Sequence, residues 1–251
     1  MLNPDFFTWD NNRGNKVVKT TLLTLNRFKV KQQSSFVLAL LASFENKIIT
    51  LNNLQNALQK IEHFHFIFNA ITSQRSSGHI VTTYSKNAVL LSNAKDANVA
   101  NKIIKDLLEA LSRKLPHYDE FEVKFMELMF TKSRSKDRNV IKYCLSRLMP
   151  NTSACLDINY DSLTIEHLIS QSDSNRDIEE IGSIGNLLLV DQVTNSEVLK
   201  NKVITEKLIH LKAENYPLEQ SFIPENFFGS PEDIEQRAKN IARYLFQKSK
   251  V

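Results

Sequence analysis

Leu163-Thr164-Ile165-Glu166-His167-Leu168-Ile169-Ser170-Gln171-Ser172 and Ile184-Gly185-Asn186-Leu187-Leu188-Leu189-Val190 are the two stretches on which the fold of this chain turns. In the first, Leu163 and Ile165 alternate with polar neighbours, the period of a half-buried strand, and the strand ends at Glu166-His167. The second is a short continuous apolar run just after Gly182, Gly185 and Asn186, and it reads as a second strand. Asn195, nine residues after Asn186, opens a broken helical stripe of Val198, Leu199, Val203, Leu208 and Ile209 that runs to Leu211. Strand, loop, strand and helix are expected in that order.

These short elements carry the residue types that a reaction needs. Neighbouring residues on a strand point to opposite faces, so Glu166 and His167 cannot do the same job. A carboxylate oxygen and an amide oxygen are hard ligands suited to Mg²⁺, which keeps few protein ligands alongside water and phosphate oxygens; Glu166 and Asn195 fit that role. A neutral imidazole takes a proton from water near pH 7, which makes His167 the natural general base. Asn186 fits the task of holding the loop and the His167 orientation by hydrogen bonds, and Asn195 also suits a helix cap. Asp191 stands where it could add a ligand.

Outward from this centre the chain reads as helical. Ser34 or Ser35 caps a helix through Phe36, Leu40, Leu41 and Phe44, and Thr50 caps a second through Leu51, Leu54, Leu58 and Ile61. His63 and His65 are two apart, a spacing that favours one face of a strand, and they read as structural rather than as ligands. Ser76-Ser77-Gly78 marks a loop, and a helix is expected over about 98–115 with Ile103, Leu107, Leu108 and Leu111 on one face and Pro116 as its stop. Phe121, Phe125, Leu128 and Met129 precede a segment in which Lys132, Arg134, Lys136 and Arg138 alternate with small or polar residues. That segment is either an exposed loop or a phosphate-contacting one. A helix follows through Val140, Ile141, Cys144, Leu145 and Leu148, and Pro150-Asn151-Thr152-Ser153 is the best candidate boundary. At the far end Ser230 caps, Pro231 takes the first helical position, and Ile234, Ala238, Ile241, Ala242 and Leu245 face inward.

Composition agrees with a mainly helical chain. Of 251 residues only 5 are glycine, which argues against glycine-cradled phosphate loops and turn-dense sandwiches. No apolar run approaches the about 18 residues that would span a bilayer, and the polar opening Met1-Leu2-Asn3-Pro4-Asp5 lacks a secretory pattern, so a cytoplasmic protein is expected. Cys144 and Cys155 are too few for a zinc site and read as buried thiols. The net charge of +4 is a cancellation: residues 1–32 carry +4, 33–131 +1, 132–155 +5, 156–212 −5 and 213–251 −1.

The order acid–His, Asn before an apolar strand, and a second Asn nine residues later resembles the HNH (ββα-metal, His-Me finger) nuclease motif, in the variant that ends in Asn. Glu166-His167-Leu168-Ile169-Ser170-Gln171-Ser172 is similar to that family's acid–His–apolar–apolar–Pro–Gln–Ser, with Ser170 where proline is usual. The zinc-binding cysteines of many members would fall at Asp191 and Thr194, so the resemblance implies no structural zinc. Ile184-Gly185-Asn186-Leu187-Leu188-Leu189, then Asn195-Ser196, Asn201 and Glu206-Lys207, are similar to the C-terminal nuclease domain of GmrSD-type modification-dependent (type IV) restriction enzymes. The helical region resembles the segment that precedes that nuclease. The family's N-terminal, nucleotide-hydrolysing half has no counterpart in these 251 residues.

The resemblance implies an α+β chain, mainly α with a small ββα-metal module: a helical domain over 1–155, the nuclease module over 156–212 and a helical extension over 213–251 that packs back on the first domain. The implied activity is Mg²⁺-dependent hydrolysis of DNA, with Mn²⁺ as a substitute ion, in a phage-defence restriction system. His167 and Asn186 are its catalytic residues and Glu166 and Asn195 its metal ligands. Lys132, Arg134, Lys136, Arg138, Lys200, Lys202 and Lys207 are candidate DNA contacts, although the last three also fit a solvated helix face. DNA and an NTPase domain or subunit are the implied partners. The alternatives are a non-catalytic nucleic-acid-binding or partner-docking module with an eroded site, and a nuclease subunit inactive until an NTPase partner assembles.

Overall fold

A computed structural model of the chain describes residues 4, 13–74, 78–149, 162–200, 202–214, 216 and 222–247. The described residues are mainly helical with one two-stranded sheet, and the chain divides into two compact units, Met1–His117 and Tyr118–Val251. Among the described residues no helix is long and apolar enough to cross a membrane.

The first unit holds α1 (Arg13–Arg27), α2 (Ser34–Glu45), α3 (Leu51–His65), α4 (Gly78–Ser92) and α5 (Ala97–Ser112). The α2 helix packs on α4, α1 on α3, and α5 on both α3 and α4. Thr50 caps α3 as expected, its side chain accepting from the Asn53 N–H at 3.2 Å. Ser34 and Ser35 instead lie inside α2, whose start has no side-chain cap. The strand expected at His63 and His65 is absent: α3 runs through His65 and widens into a π turn over Phe66–Ile71. Leu54, Leu58, Ile61, His65 and Phe68 are all buried at helical spacing, and a helix rotates residues two apart by about 200°, so the two histidines point differently. Of the Ser76-Ser77-Gly78 loop, the two serines lie outside the described residues.

The second unit comprises α6 (Tyr118–Met126), α7 (Arg138–Leu148), β1 (Thr164–His167), α8 (Ile178–Gly182), β2 (Leu187–Val190), α9 (Ile204–Ala213) and α10 (Pro231–Gln247). The two strands are antiparallel, with Thr164 opposite Val190, Glu166 opposite Leu188 and His167 opposite Leu187. All four β2 residues are buried, which explains the unbroken apolar run in place of alternation. The helix expected over 195–211 is two pieces, a π turn over Thr194–Leu199 and then α9. Val203 and Ile209 are 62 % and 69 % exposed, so the apparent stripe joined residues that do not share a face.

The division between His117 and Tyr118 precedes the expected boundary, whose residues Pro150 to Ser153, like Cys155, lie outside the described ones. The reason is aromatic packing: Phe246 of α10 meets Tyr118 and Phe121 of α6 at ring separations of 5.3 and 5.1 Å, and Phe121 and Phe125 are fully buried. The α6 and α7 helices therefore share a unit with the sheet, and α10 packs on them there. The start of α10 is as expected: Ser230 accepts from the Asp233 N–H and Asp233 from the Ser230 N–H, both at 3.1 Å.

Candidate active site

The site is built on β1, with His167 at its end. The His167 ring is 5 % exposed and bonded at both nitrogens. Its Nε2 lies 2.8 Å from the Phe130 carbonyl oxygen, and the Phe130 ring stacks on it at 5.8 Å. A carbonyl oxygen only accepts, so Nε2 carries the proton and Nδ1 is the acceptor of the neutral ring. Nδ1 takes a hydrogen bond from the Gln171 side-chain amide at 3.3 Å, and Gln171 Oε1 accepts from the Lys132 backbone N–H at 2.8 Å. Burial pushes the His167 pKa below the ordinary histidine value; the Phe130 carbonyl opposes this, and the nearby Lys207 and Lys132 charges reinforce it. The imidazole is thus neutral at pH 7, the state a general base requires.

The segment that grips His167 leads directly into the basic stretch. Lys132, Arg134, Lys136 and Arg138 are all exposed, so the positive loop springs from the residues that orient the imidazole. Arg134 lies 3.7 Å from Glu179, a surface pair that ties up little of its charge. Lys200 and Lys202 are exposed too.

Lys207 is a correction to its expected role as a DNA contact. Its side chain is 1 % exposed, and its ammonium donates to Glu166 Oε1 and to the His167 backbone oxygen, both at 2.6 Å. An ammonium so placed cannot meet a phosphate; it fixes the Glu166 carboxylate to α9 and braces the end of β1. Burial raises the Glu166 pKa, while Lys207 pulls it back down.

Asn195 does not cap a helix, since α9 begins later, at Ile204. Its Nδ2 donates to the Ile165 carbonyl at 3.3 Å, which leaves Oδ1 as the amide atom able to meet a cation. Glu166 Oε2, the oxygen that Lys207 does not take, is the matching carboxylate atom. Glu166 and Ile165, which carry and anchor these two oxygens, are neighbours on β1. Among the described residues no group of three or more His, Cys, Asp and Glu side chains is gathered for a metal, so amide, water and phosphate oxygens would have to complete such a site. Asp191 is otherwise engaged: its carboxylate accepts from the Thr194 N–H at 2.9 Å and hydroxyl at 2.5 Å, bonds that hold its pKa below the ordinary range.

Asn186 is fully buried, and its side chain bonds only to backbone: Oδ1 accepts from the Ile169 N–H at 2.8 Å, and Nδ2 donates to Ile169 and Ile181 carbonyls at 3.1 and 2.8 Å. These bonds hold the loop, as its sequence position suggests, and fix the backbone just after His167, while the His167 ring makes its own bonds with Phe130 and Gln171. The loop that carries it is braced by Arg237 of α10, which donates to the Gly185 and Leu187 carbonyls at 2.7 and 3.0 Å. Gly185 lies so close to α10 that a Cβ there would stand 2.0 Å from the Ile234 carbonyl oxygen. The Arg237 brace, like the Phe130, Gln171 and Lys207 contacts, is no part of the sequence expectation. A signal exists for two of them: Ile204, Lys207, Leu208 and Leu211, and likewise Ile234, Arg237, Ala238 and Ile241, place a cation within an apolar stripe at i, i+3, i+4 and i+7.

The family model for the C-terminal domain of GmrSD restriction endonucleases matches residues 115–244. No curated protein matches the chain.

Proposed function

Because the chain belongs to the GmrSD restriction endonuclease family through that C-terminal domain, we propose that its second unit is a DNA endonuclease of the HNH type that uses Mg²⁺. The observation that carries this reading is the neutral, tautomer-fixed His167 at the root of an exposed basic loop. Lys132, Arg134, Lys136 and Arg138 hold the DNA backbone by charge and bring a phosphodiester to the end of β1. Nδ1 of His167 takes a proton from water, the water oxygen forms the new bond to phosphorus, and the bond to the leaving oxygen breaks as that oxygen takes a proton from solvent water. Glu166 and Asn195 would hold the Mg²⁺, whose positive charge offsets the negative charge that builds on the phosphoryl and leaving oxygens. Mn²⁺ substitutes for it in the same oxygen set. A nucleotide-hydrolysing domain or subunit is the proposed partner.

The Lys207–Glu166 ion pair favours a second reading, in which the chain binds DNA with a site that Lys207 keeps neutral and inert. Supercoiled plasmid incubated with Mg²⁺ or Mn²⁺ separates the two. Nicking by the wild type that His167→Ala abolishes is the expected result. Nicking that survives in the variant would sink the mechanism, and plasmid binding without nicking by either protein would favour the second reading.

A further inference from the structure

The hydrogen bonds around His167 close into a ring. From the Phe130 carbonyl they run through His167 Nε2–H, across the imidazole to Nδ1, to the Gln171 amide N–H, and from Gln171 Oε1 to the Lys132 N–H. The chain of contacts begins and ends in one short segment, 130–132, at the root of the basic loop. Each polarity is forced. The Lys132 N–H can only donate, so Oε1 faces it, and the other end of the amide, which can only donate, faces Nδ1. Gln171 therefore covers the one nitrogen able to take a proton, while holding the backbone that a DNA phosphate would pull on.

From this juxtaposition we infer that Gln171 is a positioning residue that couples DNA contact at the 132–138 loop to the availability of His167 Nδ1. Resting on the endonuclease reading, the inference deepens it: phosphate capture by Lys132, Arg134, Lys136 and Arg138 shifts the Lys132 N–H, Gln171 follows its acceptor oxygen, and Nδ1 opens to the attacking water. In the absence of DNA the base stays capped. The device explains how a deeply buried histidine becomes reactive only beneath a bound backbone.

The test uses the full chain with ¹⁵N-labelled histidine, His167 being assigned by its loss in His167→Ala. Without DNA, the ring nitrogens should report an Nε2–H tautomer with Nδ1 hydrogen-bonded, and the Lys132 amide should be protected from exchange. Gln171→Ala should lower that protection by about tenfold and shift the Nδ1 resonance. Gln171→Glu separates the two halves: a carboxylate still accepts from Lys132, so protection stays, but it cannot donate to Nδ1, so the Nδ1 resonance leaves its wild-type position while Nε2 keeps its proton on the Phe130 carbonyl. Adding a short DNA duplex to wild type should move the Lys132 amide and the Nδ1 resonance together, and the movement should vanish when the four basic residues of the loop are changed to glutamine. A DNA-induced change at Lys132 that leaves Nδ1 untouched would overturn the coupling, as would wild-type ring resonances in both Gln171 variants. Where the wild type nicks plasmid, Gln171→Glu should lower kcat by about 10- to 100-fold with KM unchanged. A wild type that does not nick counts against the endonuclease reading, while the resonances still decide the role of Gln171.

Discussion

His65 and His167 are both buried and both held neutral, yet they belong to different kinds of place. His65, fully buried in the first unit, is closed at both nitrogens by side chains, with Asn69 Oδ1 2.6 Å from Nδ1 and the Tyr84 hydroxyl 3.0 Å from Nε2. Tyr84 is itself fully buried and stacks on the imidazole, so the ring completes a core. His167 instead donates to a backbone carbonyl and accepts from a glutamine that leads to an exposed cationic loop. Burial by itself thus does not separate the two histidines. The difference lies in what surrounds the second nitrogen: core in one case, the root of a charged surface in the other.

The largest expected effect breaks that comparison directly. His167→Ala should reduce plasmid nicking by about 10²- to 10⁴-fold, the usual contribution of a general base, whereas His65→Gln should leave the rate nearly unchanged, measured as initial nicking rates at pH 7.5. Equal losses in both would mean that the two histidines differ only in address.

Lys207 sharpens the contrast between an exposed and an internal cation. Lys207→Met strands the Glu166 carboxylate, and urea unfolding should show a loss of about 3–5 kcal/mol. Replacing both members, Glu166→Leu with Lys207→Met, should recover most of that stability while nicking stays lost.

Acid should find His65. Desolvation lowers its pKa from 6.5 to about 4, so between those values the unfolded chain binds a proton that the folded one refuses. Stability from this group is complete above pH 6.5 and falls by about 3 kcal/mol as pH drops to 4. The difference in urea midpoint between wild type and His65→Gln should follow that course, since glutamine does not titrate. A difference that stays constant with pH would refute the buried-neutral reading of His65.

The smallest effect per residue belongs to the loop. Changing Lys132, Arg134, Lys136 and Arg138 one at a time to glutamine should each flatten the dependence of log Kd for duplex DNA on log salt by about 0.9, with no change in fold. A slope that survives all four changes would place the DNA elsewhere.

Much of the candidate site was legible because its order is local. The alternation ending at Glu166-His167, the glycine before Asn186 and the nine-residue step to Asn195 mark elements that follow one another along the chain, and both strands form where they are expected. Lys207 departs from expectation because charge suggests solvent, although its place in an apolar stripe is a pattern that demands a buried partner. The His63–His65 strand failed for a related reason. A spacing of two is compatible with a strand, but Leu54, Leu58 and Ile61 had already committed that stretch to a helical face.

The sequence by itself determined the helical character, the two strands and the acid–His pair, since each follows from periods and neighbours within a few residues. Only the tertiary structure decided which nitrogen of His167 is basic, that Glu166 is answered by a lysine from α9, that Arg237 braces the Asn186 loop, and that α6 and α7 belong with the sheet. The physical reason is that a hydrogen bond or ion pair is fixed by which groups meet in space. Phe130 and His167, or Glu166 and Lys207, stand far apart along the chain, where periodicity carries no information about them.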